Sequence, residues 1–527
     1  MLRPGQVEDY AQQAAAAFDR LELDILLDMA RRIRKTDYMT EGANWLAERA
    51  QALGATRQHL AERMEALMAA TAPQVAVVFA QAMLEAEAQD NRFYHAAGQP
   101  EPEGIGTSPV AQQIVQSGYR RTMNTLYNLT QTRALMGNHN LPVAVQEQLG
   151  AILDRGHLGA VTGAFSVDEV VRRGIKDLAE QGVAAITYPS GHTDTLEVVV
   201  LRAMRTGINQ TATDIGQHNA DSMGVDIMEL TAHGGARTGD GGQDFTNHSW
   251  WQGKLVSLSG QPGYLSLQDI GYGDVRGFAG ANCRHNWHPF WPGISQPAYT
   301  QELLDEYNAP KFPYNGKLLT EEEADRRQRA LERQIRRWKR EYVLAKETDQ
   351  PDLQSRAAAR LAAARGRLED FLQQTGRHKQ QLRETVPGFG RSEASSAVWA
   401  ARRLQAEQNN AILIENLRTA GNLPQKAQIH LTPKELDLAE LSFDDTHVNQ
   451  ERQHHISEAQ AKEFIQQAAI SVTVWNGRFE RYYSQNGVAY VDRLKKEIRT
   501  AYGKAEYDAS TQALMEALEQ NGLFREY

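Results

Sequence analysis

The chain reads as a multidomain protein with a mainly α N-terminal region, a compact α+β middle domain, a helical hairpin or coiled-coil arm, and a small α+β C-terminal domain of helix plus antiparallel sheet. Three observations predict this. Its 527 residues exceed what one hydrophobic core supports. Apolar residues recur at spacings of three and four through the N-terminal part and again after Pro313, whereas ISVTVW near the C-terminus alternates with period two. The expected boundaries are 1–181 for the helical region, 182–312 for the middle domain, 313–410 for the hairpin arm, 411–442 for a linker and 443–527 for the terminal domain.

In the first helix Phe18, Leu21, Ile25, Met29 and Ile33 form one stripe, and Arg31, Arg32, Arg34 and Lys35 crowd its end, where cations suit the helix dipole. Further helices are expected over residues 44–70, 75–88 and 110–129, with the Gly- and Pro-rich HAAGQPEPEGIGTSP as a loop. From Gly182 a short strand, a helix from Thr195 to Met223 and a strand around Asp226 to Leu230 follow. Gly234 to Asp244 is then a loop needing unusual backbone angles. Thr320 and Glu323 have the spacing of a capping box, opening a helix with Leu331, Ile335, Trp338 and Tyr342 on one stripe. Asp349, Gln350 and Pro351 break it. A second charged helix runs to the loop VPGFGRSEASS, giving a hairpin whose Arg-rich face is either solvated or a phosphate-backbone contact, and which invites self-association or docking. Ser457 and Gln460 begin a helix with Ala461, Phe464, Ile465 and Ala468 apolar. Strands with Ile470, Val472 and Val474 inward, RFERYYS and VAYV follow, joined by turns at Asn476-Gly477 and Asn486-Gly487, and a helix is expected around Leu494 to Gly503.

Composition narrows the function. A net charge of −9 excludes a protein that coats nucleic acid along its length. One cysteine allows no internal disulfide, and the N-terminus lacks a signal-peptide pattern, so a chain made and kept in a cytoplasm is expected. Apolar runs such as Val198 to Leu201 are far short of a membrane span. TYPSGHTD places a serine near a histidine without a nucleophile elbow, and neither a phosphate-cradling loop nor a dinucleotide fingerprint occurs.

HGGARTGDGGQDFTNHSWWQGK, followed by GYGDVRGFAGANCRHNWHPFWPG, resembles the core of phage minor capsid proteins of the Mu F-like head-morphogenesis family, of the minor capsid protein 2 type, and the helix upstream fits it too. The resemblance implies a low-copy virion protein, bound to portal and capsid proteins at the portal or the capsid interior. Where the broader family has Cys-Arg-Cys, this chain has Cys283, Arg284 and His285. The segments THVNQERQHHISEAQAKEFIQQAAISVTVWNGRFERYYSQNGVAYVD and IRTAYGKAEYD resemble nuclease domains grouped with barnase, EndoU, colicin E5, colicin D and RelE. That resemblance implies a toxin or effector carried behind the head protein, acting on host RNA after delivery to the host cytoplasm.

Metal-free RNA cleavage needs a base, an acid and cations or donors around the phosphorane. The expected set is His447 and His455 as acid and base, Arg452 as phosphate clamp, Tyr483 and Thr500 as donors, and Arg481 and Tyr502 as substrate contacts. Arg481 and Tyr483 share one strand face. The alternative is that His447, His454 and His455 are a solvated surface and the tyrosines fill the sheet. Residues 441–527 hold 10 Lys and Arg against 13 Asp and Glu, a balance of −3 that is unusual for a nucleic-acid binder.

In the middle domain His233, His248, Cys283, His285 and His288 are candidate zinc ligands, with Asp240 or Asp244 able to add an oxygen. Cys-x-His-x-x-His lacks the paired spacings of strong zinc motifs. A catalytic thiol, a metal-dependent hydrolase, or a stiff loop packed by Trp287, Phe290 and Trp291 are the other readings, and without zinc no cofactor is expected.

Overall fold

The apolar stripe of the N-terminal segment seeds the largest core. After α1 (Pro4–Ala16), helix α2 (Asp19–Lys35) buries Leu21, Ile25, Met29 and Ile33, with Phe18 at its N-cap. The computed structural model describes residues 2–16, 18–40, 43–130, 141–187 and 193–524. They fall into two compact units, Met1–Ala401 and Arg402–Tyr527.

In the first unit, α3 (Ala43–Ala96) runs for 54 residues and passes through Pro73. Two separate helices are expected here, because an interior proline removes a donor and crowds the preceding turn at a cost of about 3 kcal/mol. Burial outweighs that cost. Trp45, Leu60 and Val75 join the core built on α2, and Phe79, Met83 and Ala86 join a second core, where each large side chain contributes about 1.5–3 kcal/mol. Helices α4 (Pro109–Thr130), α5 (Leu141–Val161) and α6 (Val167–Gln181) follow. Strand β1 (Ala184–Thr187) pairs antiparallel with β2 (Thr193–Thr195), and Thr195 caps α7 (Leu196–Ser222), close to the expected span. Ser190 and His192 of TYPSGHTD lie outside the described residues.

Strand β3 (Ile227–Leu230) is the centre of a three-stranded antiparallel sheet. After α8 (His248–Trp251) come its neighbours β4 (Leu255–Ser257) and β5 (Trp287–Pro289), in the order β4-β3-β5. Gly235 and Gly239 take positive φ in the expected irregular loop. The core here is aromatic: Tyr94, Trp251, Phe278 and Trp287 pack with Met228, Leu230 and Val256. Helix α9 (Gln301–Asn308) and the hairpin of β6 (Phe312–Tyr314) with β7 (Lys317–Leu319) lead onward.

Helix α10 (Glu321–Glu347) opens with the Thr320/Glu323 capping box, Asp349 takes φ 55, and α11 (Pro351–Thr375) starts on its proline. The two pack through Leu331, Ile335 and Trp338 against Leu361, Leu368 and Phe371. The charge of α10 differs from expectation: Arg336, Lys339, Arg340 and Glu341 are buried. Arg336 pairs with Glu197 and lies 3.5 Å from Glu22, and Arg340 Nη1 donates to Glu22 Oε1 at 2.9 Å. Acids from α2 and the start of α7 meet this face, so it is paired inside the protein rather than solvated. Helix α11 stops at Thr375 because Gly376 turns into the left-handed region. Helix α12 (Arg391–Ala420) then begins inside the segment expected to be a loop.

The second unit is a six-stranded sheet with helices on both faces. Its elements are β8 (Gln428–His430), β9 (Ser442–Phe443), α13 (Glu458–Gln466), β10 (Ala468–Val474), β11 (Phe479–Ser484), β12 (Gly487–Asp492), β13 (Glu497–Gly503) and α14 (Ala509–Gln520). The strand order is β8-β10-β11-β12-β13-β9, and β13 and β9 are parallel. One face buries Ile470, Val472, Val474 and Tyr483 against Leu417 of α12 and Leu514, Met515 and Leu518 of α14. The other buries Tyr482, Ala489, Val491 and Ile498 against Ala461, Phe464 and Ile465 of α13. The helix expected over Leu494 to Gly503 is instead strand β13. Ile498 and Thr500 are β-branched, and the edge of β12 has backbone groups that need partners.

Candidate functional site

Three buried side chains of the middle sheet converge. His248 opens α8, whose cap is Asn247, and Cys283 and His285 lie on the segment entering β5. That segment is pinned: Asn286 N donates to Thr231 Oγ1 at 2.9 Å, and Asn209 Nδ2 of α7 donates to His285 O at 2.9 Å. His248 Nδ1 and His285 Nδ1 are 3.4 Å apart, and Cys283 Sγ lies 3.8 and 3.6 Å from them. The Nε2–H of His248 donates to Arg276 O at 2.9 Å, and that of His285 to Gln252 Oε1 at 3.1 Å. Both Nδ1 lone pairs therefore face the sulfur. Burial pushes the His248 imidazolium down to about 4, holds that of His285 well below its ordinary value, and pushes the Cys283 thiol up to about 11. The imidazoles are neutral and the free thiol is protonated. A cavity of about 770 Å³ abuts all three and is also lined by His233, Arg237, Arg284 and Arg326.

The other expected ligands lie elsewhere or point differently. His233 stacks on His285 with centroids 4.4 Å apart, and its Nδ1–H donates to Gly234 O at 2.8 Å. His288 stacks on Phe93 at 3.8 Å and its Nε2 is 3.5 Å from Glu229 Oε2. Asp240 and Asp244 fold back on their own loop, accepting from Gly242 N at 3.0 Å and Thr246 N at 2.6 Å. Among the described residues, His248, Cys283 and His285 form the group of His, Cys, Asp and Glu ligand atoms lying within 4.8 Å of one another.

In the second unit the expected residues divide. Arg481 and Tyr483 share a sheet face with Thr500 and Tyr502, through the register Arg481↔Tyr490↔Thr500 and Tyr483↔Val488↔Tyr502. Arg481 lies over the Tyr490 ring at 4.7 Å, Tyr490 and Tyr502 hydroxyls are 3.4 Å apart, and Tyr483 is only 2% exposed. His447 is held apart from this row: its Nδ1–H donates to Glu451 Oε2 at 2.7 Å, with Arg499 Nη2 3.4 Å from the same nitrogen. Arg499 also pairs with Asp444. Arg452 and His455 are exposed, and His455 takes φ 54.

Sequence reasoning considered His454 only as a solvated surface residue and passed over Arg499. The Nδ1–H of His454 donates to Glu506 Oε2 at 2.6 Å, and its ring lies 5.6 Å from that of Tyr502. The adjacent histidines 454 and 455 were a visible signal, but which one turns inward depends on the positive φ at Gln453 and His455. Arg499 is the extra residue of a β-bulge, since Tyr490 pairs with Thr500 and Val491 with Ile498, and a bulge re-aims its side chain. No sequence period reports that.

Residues 2–373 match the family model described as phage minor capsid protein 2. A structural protein of Lactococcus phage LL-H is 23% identical over 280 residues, covering 51% of this chain and 69% of that protein. A structural protein of Lactococcus phage mv4 is 27% identical over 111 residues, covering 21% of this chain and 81% of that protein. No solved structure matches.

Proposed function

Because the chain belongs to the phage minor capsid protein 2 family, we propose that this virion structural protein sits at the portal or the capsid interior and carries an RNA-cleaving effector in its second unit. The observation that carries this reading is one of organisation. The family match ends at residue 373, and the unit Arg402–Tyr527 beyond it has its own sheet and its own two cores. It has the build of cargo appended to a structural body.

The chemistry follows from the polar residues at the β13 end of the sheet. His447, with Nδ1 held by Glu451, keeps Nε2 free to take the proton of a ribose 2′-hydroxyl. The 2′-oxygen attacks the adjacent phosphorus, the 5′-oxygen leaves with a proton from a second histidine, and Arg499 offsets charge on the phosphorane. His454, oriented by Glu506, is better placed for that second role than exposed His455. A structural head protein with an inert tail is the second reading, favoured by the acidic balance of 441–527 and the sealed Tyr483.

The test is to express Arg402–Tyr527 in bacteria, wild type against His447→Ala and His454→Ala. The shorter piece 441–527 lacks β8 and Leu417, both part of the packed sheet. Growth arrest with RNA fragments ending in cyclic phosphate, lost in both variants, is the expected result. A wild-type unit that neither slows growth nor cuts RNA leaves the inert-tail reading.

A further inference from the structure

The distances among His248, Cys283 and His285 fit an ion better than they fit one another. With both Nε2–H groups already donating, two Nδ1 lone pairs face each other at 3.4 Å. One thiol proton can satisfy only one of them. Buried lone pairs left facing each other are costly, and a cation between them removes the cost.

Zinc bound tetrahedrally, with Zn–N near 2.0–2.1 Å and Zn–S near 2.3 Å, sets nitrogen–nitrogen edges of about 3.4 Å and sulfur–nitrogen edges of about 3.6 Å. The observed edges are 3.4, 3.6 and 3.8 Å. We propose that His248, Cys283 and His285 bind one zinc ion through Nδ1, Sγ and Nδ1, with the fourth position open to the adjoining cavity and filled by water.

Three further features agree. The Arg276 carbonyl and the Gln252 side chain hold the imidazoles in the tautomer that presents Nδ1, the outer-shell arrangement common to histidine ligands. A thiolate with two imidazoles selects zinc over the hard cations calcium and magnesium. Binding needs one proton to leave: the Cys283 thiol gives it up to solvent as the sulfur–zinc bond forms, while the imidazoles are already neutral. His288 is excluded from the site, being engaged with Glu229 and Phe93.

The full-length protein, purified without chelator, is analysed for zinc and then exchanged into cobalt. Equimolar zinc is expected, and the cobalt form should show a thiolate-to-cobalt charge-transfer band with the intense visible bands of a four-coordinate site. Cys283→Ser should lose the charge-transfer band and His248→Gln most of the metal, whereas His288→Gln should keep both signals. Wild-type protein that carries no zinc and gives no thiolate–cobalt band overturns the proposal, as does a Cys283→Ser protein that keeps the band. The wild-type spectrum reports sulfur ligation directly, so a variant that fails to fold does not leave the question open.

Discussion

Gly207 of α7 lies so close to Thr122 of α4 that a Cβ on the glycine would stand 1.9 Å from the threonine Oγ1, and Gly118 meets Thr211 at the same 1.9 Å in the reverse sense. Each threonine hydroxyl donates to the carbonyl of the glycine four residues earlier in its own helix, at 2.8 Å. The two helices therefore interlock through paired glycine and threonine positions. Gly207→Val should force them apart and cost about 2–3 kcal/mol. Adding Thr122→Ala should recover part of that loss, so the double variant will be less destabilised than the sum of the singles. Urea unfolding of the four proteins measures it.

Arg336 is predicted to be the most sensitive charged residue of α10. Its removal leaves Arg340 as the remaining partner of Glu22, with Asp19 and Glu197 unneutralised beside it in a half-buried site. Arg336→Ala should cost about 3–5 kcal/mol. Arg326→Ala, which breaks an exposed pair with Glu322, should leave the thermal midpoint where it was.

Glu229 and His288 should hide each other's pH dependence. Burial pushes the Glu229 carboxyl up to about 7, against the pull of the Ala298 and Tyr299 amides, and pushes the His288 imidazolium down to about 4. Between about pH 4.5 and 6.5 the unfolded chain holds one proton of this pair on the histidine and the folded protein holds one on the glutamate, so the pair contributes no slope. In Glu229→Gln the unfolded state binds the extra proton between about pH 4 and 6.5, and stability should rise with pH relative to wild type. In His288→Gln the folded state keeps the extra proton between about pH 4.5 and 7, and stability should fall as pH rises. Urea midpoints stepped through this range give the two slopes; variants that both track wild type would refute the assignment.

Glu480 is 0% exposed on β11, where Ser471 Oγ and Thr473 Oγ1 donate to its two oxygens at 2.7 and 2.6 Å and Lys434 Nζ lies 3.4 Å away. Glu480→Ala takes the acid partner from Lys434 and the acceptor from both hydroxyls. In isolated Arg402–Tyr527 it should cost about 3–5 kcal/mol, read as a lower urea midpoint.

What was legible in the chain was local. Thr320 with Glu323 and Ser457 with Gln460 both form the capping boxes that their spacing announces, and Ile470, Val472 and Val474 alternate inward as written. What was not legible depends on a partner far away in sequence. Residues 497–503 form a strand because β12 offers them an edge, and Arg336 is buried because Glu22 and Glu197 meet it. His248 joins Cys283 across 35 residues of loop and sheet, a distance that no motif encodes. Likewise Gly118 to Thr122 and Gly207 to Thr211 repeat one spacing, but nothing in either helix says that it faces the other.

The uninterrupted α3 has a mechanical meaning. At 1.5 Å per residue its 54 residues make a rod of about 80 Å. Near one end Trp45 stacks on His157 at 4.0 Å, and near the other Phe93 stacks on His288 at 3.8 Å. One continuous rod thus ties the helical bundle to the aromatic sheet, and its hydrogen-bond ladder lacks a rung at Pro73.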